Sequence, residues 1–167
     1  MSYKCSHCGN THDELPRYFM WHAPETDQGR VIDVVEDSKS MCRGGDSQFF
    51  VHCEIELPLA EAEGDPLGCI CWVEVSLSDY QRLIHFRENE DAQPHYADLV
   101  EGKLANPVQG IAHSYGTPVK FKVIKGDPTP YIKWVAPGTA IAAILASGVS
   151  MDFWHDVAAG RLRPLGN

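Results

Sequence analysis

The sequence has no long apolar run and no apolar leader. No stretch approaches the roughly 18 consecutive apolar residues that a membrane-spanning helix needs. The opening residues, Met-Ser-Tyr-Lys-Cys, lack the apolar core of a secretory signal. We therefore expect a soluble protein of the cytoplasm with no membrane partner.

The sequence also lacks the common catalytic motifs. It contains no glycine-rich phosphate loop, no G-x-S-x-G elbow and no H-E-x-x-H helix. The candidates for acid–base chemistry are His113 in a predicted loop, and Asp152 and His155 one helical turn apart. An aspartate favoured by the helix dipole beside an incidental histidine explains the latter two more simply. We expect a binding or regulatory protein, and the alternative is a small hydrolase or other enzyme with a site near these three residues.

Basic residues are in the minority. The chain has 14 Lys and Arg against 23 Asp and Glu, which gives a net charge of −9. Residues 1–100 carry 19 acidic and 7 basic side chains, whereas residues 101–167 carry 4 and 7. An acidic body repels phosphate backbones, so we do not expect nucleic acid as a partner. The acidic excess favours a solvated surface, and another protein is the expected partner.

Cysteine is present in an arrangement that suits a metal. The cytosol keeps thiols reduced, which favours ligands or buried thiols over disulfides. Cys5 and Cys8 form a C-x-x-C pair followed by Gly9, which tolerates the positive φ of a zinc knuckle. His12 can supply an imidazole, and Cys42 lies beside two glycines that could return it to the knuckle. The pattern predicts a structural Zn²⁺ held by Cys5, Cys8, His12 and Cys42.

Other assignments stay open for this pair and for the fourth ligand. Unligated surface thiols or a redox pair of the thioredoxin kind are the alternatives to zinc. The other candidates for the fourth ligand are His7, His22, His52 and Cys53. Cys53, Cys69 and Cys71 share the apolar face of predicted strands, so we expect them to be buried in the core. We expect His52, on the polar face, to be exposed.

Hydrophobic periodicity predicts an α+β fold: a mostly antiparallel sheet with flanking helices and an N-terminal zinc knuckle. Period-two alternation indicates a hairpin of strands 49–59 and 69–77 and a second hairpin of strands 119–124 and 131–135. Helices are predicted at about 79–89, with Ser78 as N-cap, and at 139–147 and 150–160, with a helical turn at 97–100. We expect one domain, residues 1–167, in which a zinc-knuckle segment, residues 1–45, packs on an α+β body, residues 46–167.

The order of these features resembles a known bacterial family. The segments Cys5-Ser6-His7-Cys8-Gly9, Gln48-Phe49-Phe50-Val51 and Trp72-Val73-Glu74-Val75 are similar to those of domain of unknown function 2199. The resemblance is tightest over residues 5–80. It implies a small soluble protein without an established activity, and it supports the proposed zinc ligands at the matching positions.

Overall fold

The computed structural model describes residues 3–4, 9–12, 18–45, 47–60, 66–89, 99–108, 110–124, 127 and 129–158. The strands are β1 Tyr3–Lys4, β2 Thr11–His12, β3 Tyr18–Met20, β4 Val34–Ser38, β5 Met41–Gly44, β6 Gln48–Leu57, β7 Leu67–Val75, β8 Val100–Leu104, β9 Pro118–Lys122 and β10 Tyr131–Val135. The helices are α1 Leu77–Glu88, α2 Ala140–Ser147 and α3 Met151–Ala158. The α+β class is thus confirmed, with strands predominating.

Five strands close into a barrel. Antiparallel pairs join β6 to β7, β7 to β8, β8 to β9 and β9 to β10. The barrel closes where β10 lies parallel to β6, with Tyr131 opposite Glu54. The expected arrangement, a sheet with helices flanking it, is wrong in this respect because this pairing curls the sheet onto itself. Apolar side chains on these strands form its core: Val51, Val73, Leu104, Val119, Phe121 and Ile132.

The hairpin of β6 and β7 confirms the predicted alternation of apolar and polar residues in these two strands. Val51 faces Val73, Cys53 faces Cys71 and Ile55 faces Cys69, so one face of both strands is apolar. The three cysteines are at most 2% exposed. Burial raises the pKa of each of their thiols, that of Cys71 to about 12. Their predicted role in core packing is confirmed.

Strand β8 begins at Val100, where the helical turn predicted at 97–100 would end; residues 97 and 98 of that prediction lie outside the described residues. The central Gly102 of β8 sits opposite Val75, and a side chain there would collide with the neighbouring strand. A Cβ on Gly102 would lie 2.7 Å from the carbonyl oxygen of Glu74 and still closer to Val73. Glycine in this strand therefore reflects a close approach of two backbones in the barrel wall.

The helix ends follow local capping. Ser76, in extended conformation, accepts a hydrogen bond from the Asp79 amide at 3.1 Å, so α1 begins before the predicted Ser78 cap. Thr139 caps α2 through the Ala142 amide, and Gly148, with φ +78°, ends it. The three predicted helices are confirmed to within two residues at the described ends. No helix in the described ranges is long and apolar enough to cross a membrane.

Two N-terminal parts of the chain extend the sheet. β3 runs parallel to the first half of β7, and β4 and β5 add an antiparallel extension to β6. The tight turn after β5 uses Gly45, with φ +54°, while Gly44 pairs with Gln48 inside the ladder. The two glycines beside Cys42 therefore lie at the end of β5 and in the turn that leads to β6.

Buried polar contacts tie the segment after β3 to the barrel. The Trp72 indole donates to the Trp21 carbonyl at 3.1 Å. Asn106, which is fully buried, accepts from the Trp72 amide at 2.8 Å and donates to the Ala23 carbonyl at 2.9 Å. His52 stacks on Trp72, with ring centroids 4.4 Å apart, and is 8% exposed. The expected exposure of His52 is wrong because this segment covers the polar face of β6.

Candidate functional site

The first candidate is the N-terminal hairpin that brackets the C-x-x-C pair. β1 and β2 pair antiparallel, with Tyr3 opposite His12. Gly9 between them has φ +72°, as expected for a knuckle turn. Cys5 and Cys8 lie outside the described residues, as does the side chain of His12. The hairpin thus brings the two ends of the cysteine turn together, although the knuckle itself is not part of the described structure.

The remaining predicted ligand lies on a regular strand. Cys42 is central in β5, between Glu36 of β4 and Phe50 of β6, and is 0% exposed. Burial, with Glu36 and Asp37 nearby, raises the pKa of its thiol to about 12. Among the described side chains, no three His, Cys, Asp or Glu cluster in a way that could hold a metal. Cys42 as a ligand therefore stays a prediction.

The second candidate is a cleft of about 490 Å³ between α1 and strands β4 and β5. This is within the usual size of a ligand pocket, about 300–1,000 Å³. Its lining comprises an apolar wall and a polar end, and β5 and α1 contribute residues to both. The wall comprises Met41, Phe49, Leu77 and Ile84, and the polar residues are Asp37, Ser38, Arg43, Tyr80, Gln81, Arg87 and Glu88.

Asp37 is the centre of the polar end. The Arg43 guanidinium donates to both of its oxygens, from Nε at 2.7 Å and from Nη2 at 2.9 Å. The Tyr80 hydroxyl donates to Oδ2 at 2.7 Å. Mainly through the Arg43 hydrogen bonds, these donors lower the pKa of Asp37 below its ordinary 3.8. Burial and the nearby carboxylate raise the pKa of Tyr80. At neutral pH the cleft therefore holds an ionised carboxylate and a protonated phenol.

Arg87, near the end of α1, makes a second contact across the polar end of the cleft. Its Nη1 donates to the Ser38 hydroxyl at 3.0 Å and so links the helix to the β4–β5 turn. Together with the Tyr80–Asp37 bond, this contact fixes α1 to β4 at two points. The cleft is thus preformed, because both of its walls are connected by hydrogen bonds.

Sequence patterns alone do not reveal this cleft. Tyr80 is 1% exposed on the buried side of α1, and the partner of its hydroxyl lies 43 residues earlier in the chain. One local signal is the opposite charge of Asp37 and Arg43 on either side of the Lys39-Ser40 turn. Such a pair is typical of two strands joined in a hairpin.

The three residues of the enzymatic alternative have different environments. His113 is exposed in a turn and has φ +56°, whereas His155 in α3 is 4% exposed and Asp152 is half-buried. None of the three lines the cleft described above. An acid–base site built from them stays a prediction.

The fold and the cleft define an α+β protein built on a closed β-barrel with a ligand-sized groove beside it. The chain belongs to the bacterial family of domain of unknown function 2199, whose model, described as an uncharacterized protein conserved in bacteria, matches residues 4–149. The resemblance seen in the sequence is thereby confirmed. Comparisons with curated proteins and with solved structures give no match.

Proposed function

We propose that this protein is a binding or regulatory protein whose cleft receives an apolar group of a ligand or partner, and whose N-terminal segment is held by a structural Zn²⁺. The observation that carries the binding role is the state of the polar groups in the cleft. Asp37 is held ionised and Tyr80 is held protonated, so both pKa values lie far from neutrality. Acid–base catalysis works best with a pKa near the working pH.

The buried cysteines and His52 support the same conclusion. The thiol pKa values of Cys53, Cys69 and Cys71 are raised by burial, which leaves too little thiolate for nucleophilic attack. Burial lowers the pKa of His52 to about 4, so this imidazole is neutral at physiological pH. These cysteines and His52 are therefore better suited to packing and recognition than to catalysis.

Indole, a neutral apolar ring, is a suitable probe of the cleft in an NMR titration of the ¹⁵N-labelled protein. We expect its saturable shifts to concentrate in α1, β4 and β5. Leu77→Glu should weaken binding about tenfold, because it places a charge on the apolar wall. Val31→Glu, at a valine that is 67% exposed and outside the cleft, is the matched control and should bind as the wild type does. Shifts centred elsewhere, or equal binding by both variants, would contradict the proposal.

The zinc proposal rests on the hairpin that brackets the cysteine turn and on the positive φ of Gly9. Tetrahedral Cys₃His sites are typical structural zinc centres, and zinc affinity is coupled to deprotonation of the ligands. Cys5, Cys8 and His12 would supply ligands from one short hairpin, and Cys42 would connect that hairpin to β5. The metal would thus fasten the N-terminal segment to the sheet.

Elemental analysis of the purified protein tests the ligand set. We expect one zinc per chain, lost when Cys5, Cys8 or Cys42 becomes Ser or when His12 becomes Gln. Cys69→Ser is the control matched to Cys42, because Cys69 is likewise a buried thiol and lies outside the proposed set. Retention of zinc in Cys42→Ser would move the fourth ligand to another residue. An unchanged melting temperature after exhaustive chelation would count against a structural metal.

A further inference from the structure

The outer face of β8, β9 and β10 has a charge opposite to that of the whole chain. Outward-facing lysines on these strands are accompanied by a single glutamate and two aromatic residues. We call this set the lysine–tryptophan face: Glu101, Lys103, Lys120, Lys122, Tyr131, Lys133 and Trp134. In a chain with a net charge of −9, this face has more lysines than carboxylates.

A β-bulge in β10 turns Trp134 outward. The register between β9 and β10 shifts between Ile132 and Trp134, so Lys133 and Trp134 both point away from the core. Ile132 and Val135 on either side are at most 9% exposed, whereas Trp134 is 40% exposed. Regular alternation would place Trp134 on the same side as Ile132, inside the barrel. Bulges commonly re-aim a side chain next to a functional site.

Cations hold the two rings of this face in place. The Lys120 ammonium lies 5.4 Å from the centroid of the Trp134 ring and 2.7 Å from Glu101 Oε1. The Lys133 ammonium lies 4.9 Å from the Tyr131 ring. These contacts restrict the rings before any partner arrives, which reduces the entropy lost on binding.

We propose that the lysine–tryptophan face docks an acidic segment of another protein, with Trp134 as the apolar anchor and the lysines as its rim. Tryptophan and tyrosine dominate the energetics of protein interfaces, and rim charges steer a partner of opposite sign. The outside of a barrel wall does not enclose a small molecule, which favours a macromolecular partner. This surface is separate from the cleft and does not depend on it.

Charge within the face favours an acidic protein over nucleic acid. Glu101 pairs with Lys120, and Glu74 on β7 pairs with Lys103 at 3.2 Å, so carboxylates lie among the lysines. A continuous phosphate backbone would meet these carboxylates and the acidic remainder of the chain. Asp127 and Glu54 also lie near Tyr131 and Lys133. A short protein segment can place its carboxylates beside Lys122 and Lys133 and its apolar side chains at the other positions.

Intrinsic fluorescence can report on this face directly. The other three tryptophans, Trp21, Trp72 and Trp154, are at most 6% exposed, so a bound segment would change mainly the emission of Trp134. The probe is a fluorescein-labelled peptide that alternates pairs of Glu with Leu and Phe. The same peptide with Gln in place of Glu, and a twelve-residue oligothymidylate, serve as comparison ligands. We expect the acidic peptide to bind, and to bind more weakly as salt increases.

Matched variants distinguish binding through the lysine–tryptophan face from an effect of the protein's overall charge. Trp134→Ser and the double variant Lys122→Glu/Lys133→Glu should each weaken binding of the acidic peptide at least about tenfold. Arg30→Glu/Lys39→Glu changes the net charge equally at exposed residues off this face, and should change the affinity less than about threefold. Trp134→Phe keeps an aromatic anchor and the fold, and should bind with intermediate affinity.

Three results would overturn the proposal. The first is equal affinity of the wild type and a folded Trp134→Ser variant for the acidic peptide, or no binding by the wild type. The second is tighter binding of the oligothymidylate than of the peptide, which would assign the face to nucleic acid. The third is burial of Trp134 in a concentration-dependent dimer, measured by sedimentation and quenching, which would assign it to a second copy of this chain. Binding of indole in the cleft is unaffected by any of these results.

Discussion

The barrel and the segment that covers it, residues 18–34, are held by different interactions. The barrel buries an alternating set of apolar side chains contributed by five strands and closes its own hydrogen-bond ladder. The covering segment pairs with β7 through β3, buries Trp21 and exposes Tyr18, Met20 and Val31. Polar contacts of Trp72 and Asn106 also tie it to the barrel. The apolar contacts of the barrel contain no group that titrates near neutral pH. The contact between the covering segment and the barrel includes the His52 imidazole, so its stability can respond to pH.

The largest expected effect comes from adding a side chain where the barrel wall is tightest. Gly102→Ala places a Cβ against Val73 and the Glu74 carbonyl, and backbone atoms cannot move aside as a flexible side chain can. We expect a loss of roughly 3 kcal/mol or more in the free energy of unfolding, measured by denaturant titration. The covering segment should be lost together with the barrel.

Gly138→Ala is the matched control for this prediction. Gly138 has φ +78°, and beyond its chain neighbours no atom lies within 4 Å of the place that a Cβ would take, so only the backbone conformation is penalised. The expected loss is about 1–2 kcal/mol. Equal losses at the two glycines would show that the close approach of β7 and β8 is unimportant for stability.

A smaller loss of stability should appear when the pH falls. It should arise at His52, where residues 18–34 contact the barrel. Burial lowers the pKa of His52 from 6.5 to about 4, so the unfolded chain binds a proton more readily than the folded chain does. The contribution of neutral, buried His52 to the free energy of unfolding is fully present above about pH 6.5. It decreases as the pH falls toward 4. One pKa unit corresponds to about 1.4 kcal/mol, so the loss should reach roughly 2–3 kcal/mol.

Denaturant titrations at pH 7 and pH 4.5 measure this loss, and hydrogen exchange locates it. Exchange in residues 18–34 should accelerate at the lower pH before exchange in β6 and β7 does. His52→Phe keeps an aromatic ring stacked on Trp72 but removes the group that takes up a proton. This variant should therefore lose less stability than the wild type between pH 7 and pH 4.5. His85→Phe, at an exposed histidine in α1, should behave as the wild type does. An identical pH response of wild type and His52→Phe would remove His52 as the cause.

The parts of the fold that follow local patterns are predictable from the sequence. The hairpins of β6 with β7 and β9 with β10 are confirmed because their alternation is long and regular. β8 is missed because Gly102 interrupts its pattern, for a reason that lies on the neighbouring strand. β3 and the closure of β10 on β6 involve parallel pairs between distant segments, which no local pattern encodes. The bulge in β10 also interrupts the alternation of inward- and outward-facing residues. Regular alternation would place Trp134 inside the barrel.

The candidate sites also differ in how far they can be predicted from the sequence. The knuckle turn follows from a short motif, and the positive φ of Gly9 agrees with it. The cleft instead depends on α1 meeting β4, so the roles of Asp37 and Tyr80 are visible only in three dimensions. Cys42 illustrates both cases: its residue type suggests a ligand, while its central position in β5 depends on pairing with two neighbouring strands.

The closure of the barrel by Tyr131 and Glu54 also has a consequence for biosynthesis. A ribosome delivers β6 to β9 before it delivers β10, so one edge of β6 has no partner from β10 during that interval. Unpaired strand edges in nascent chains are prone to wrong pairing and aggregation. The barrel is therefore completed only after β10 has been synthesised, and slow synthesis between β9 and β10 prolongs the interval in which this edge of β6 lacks that partner.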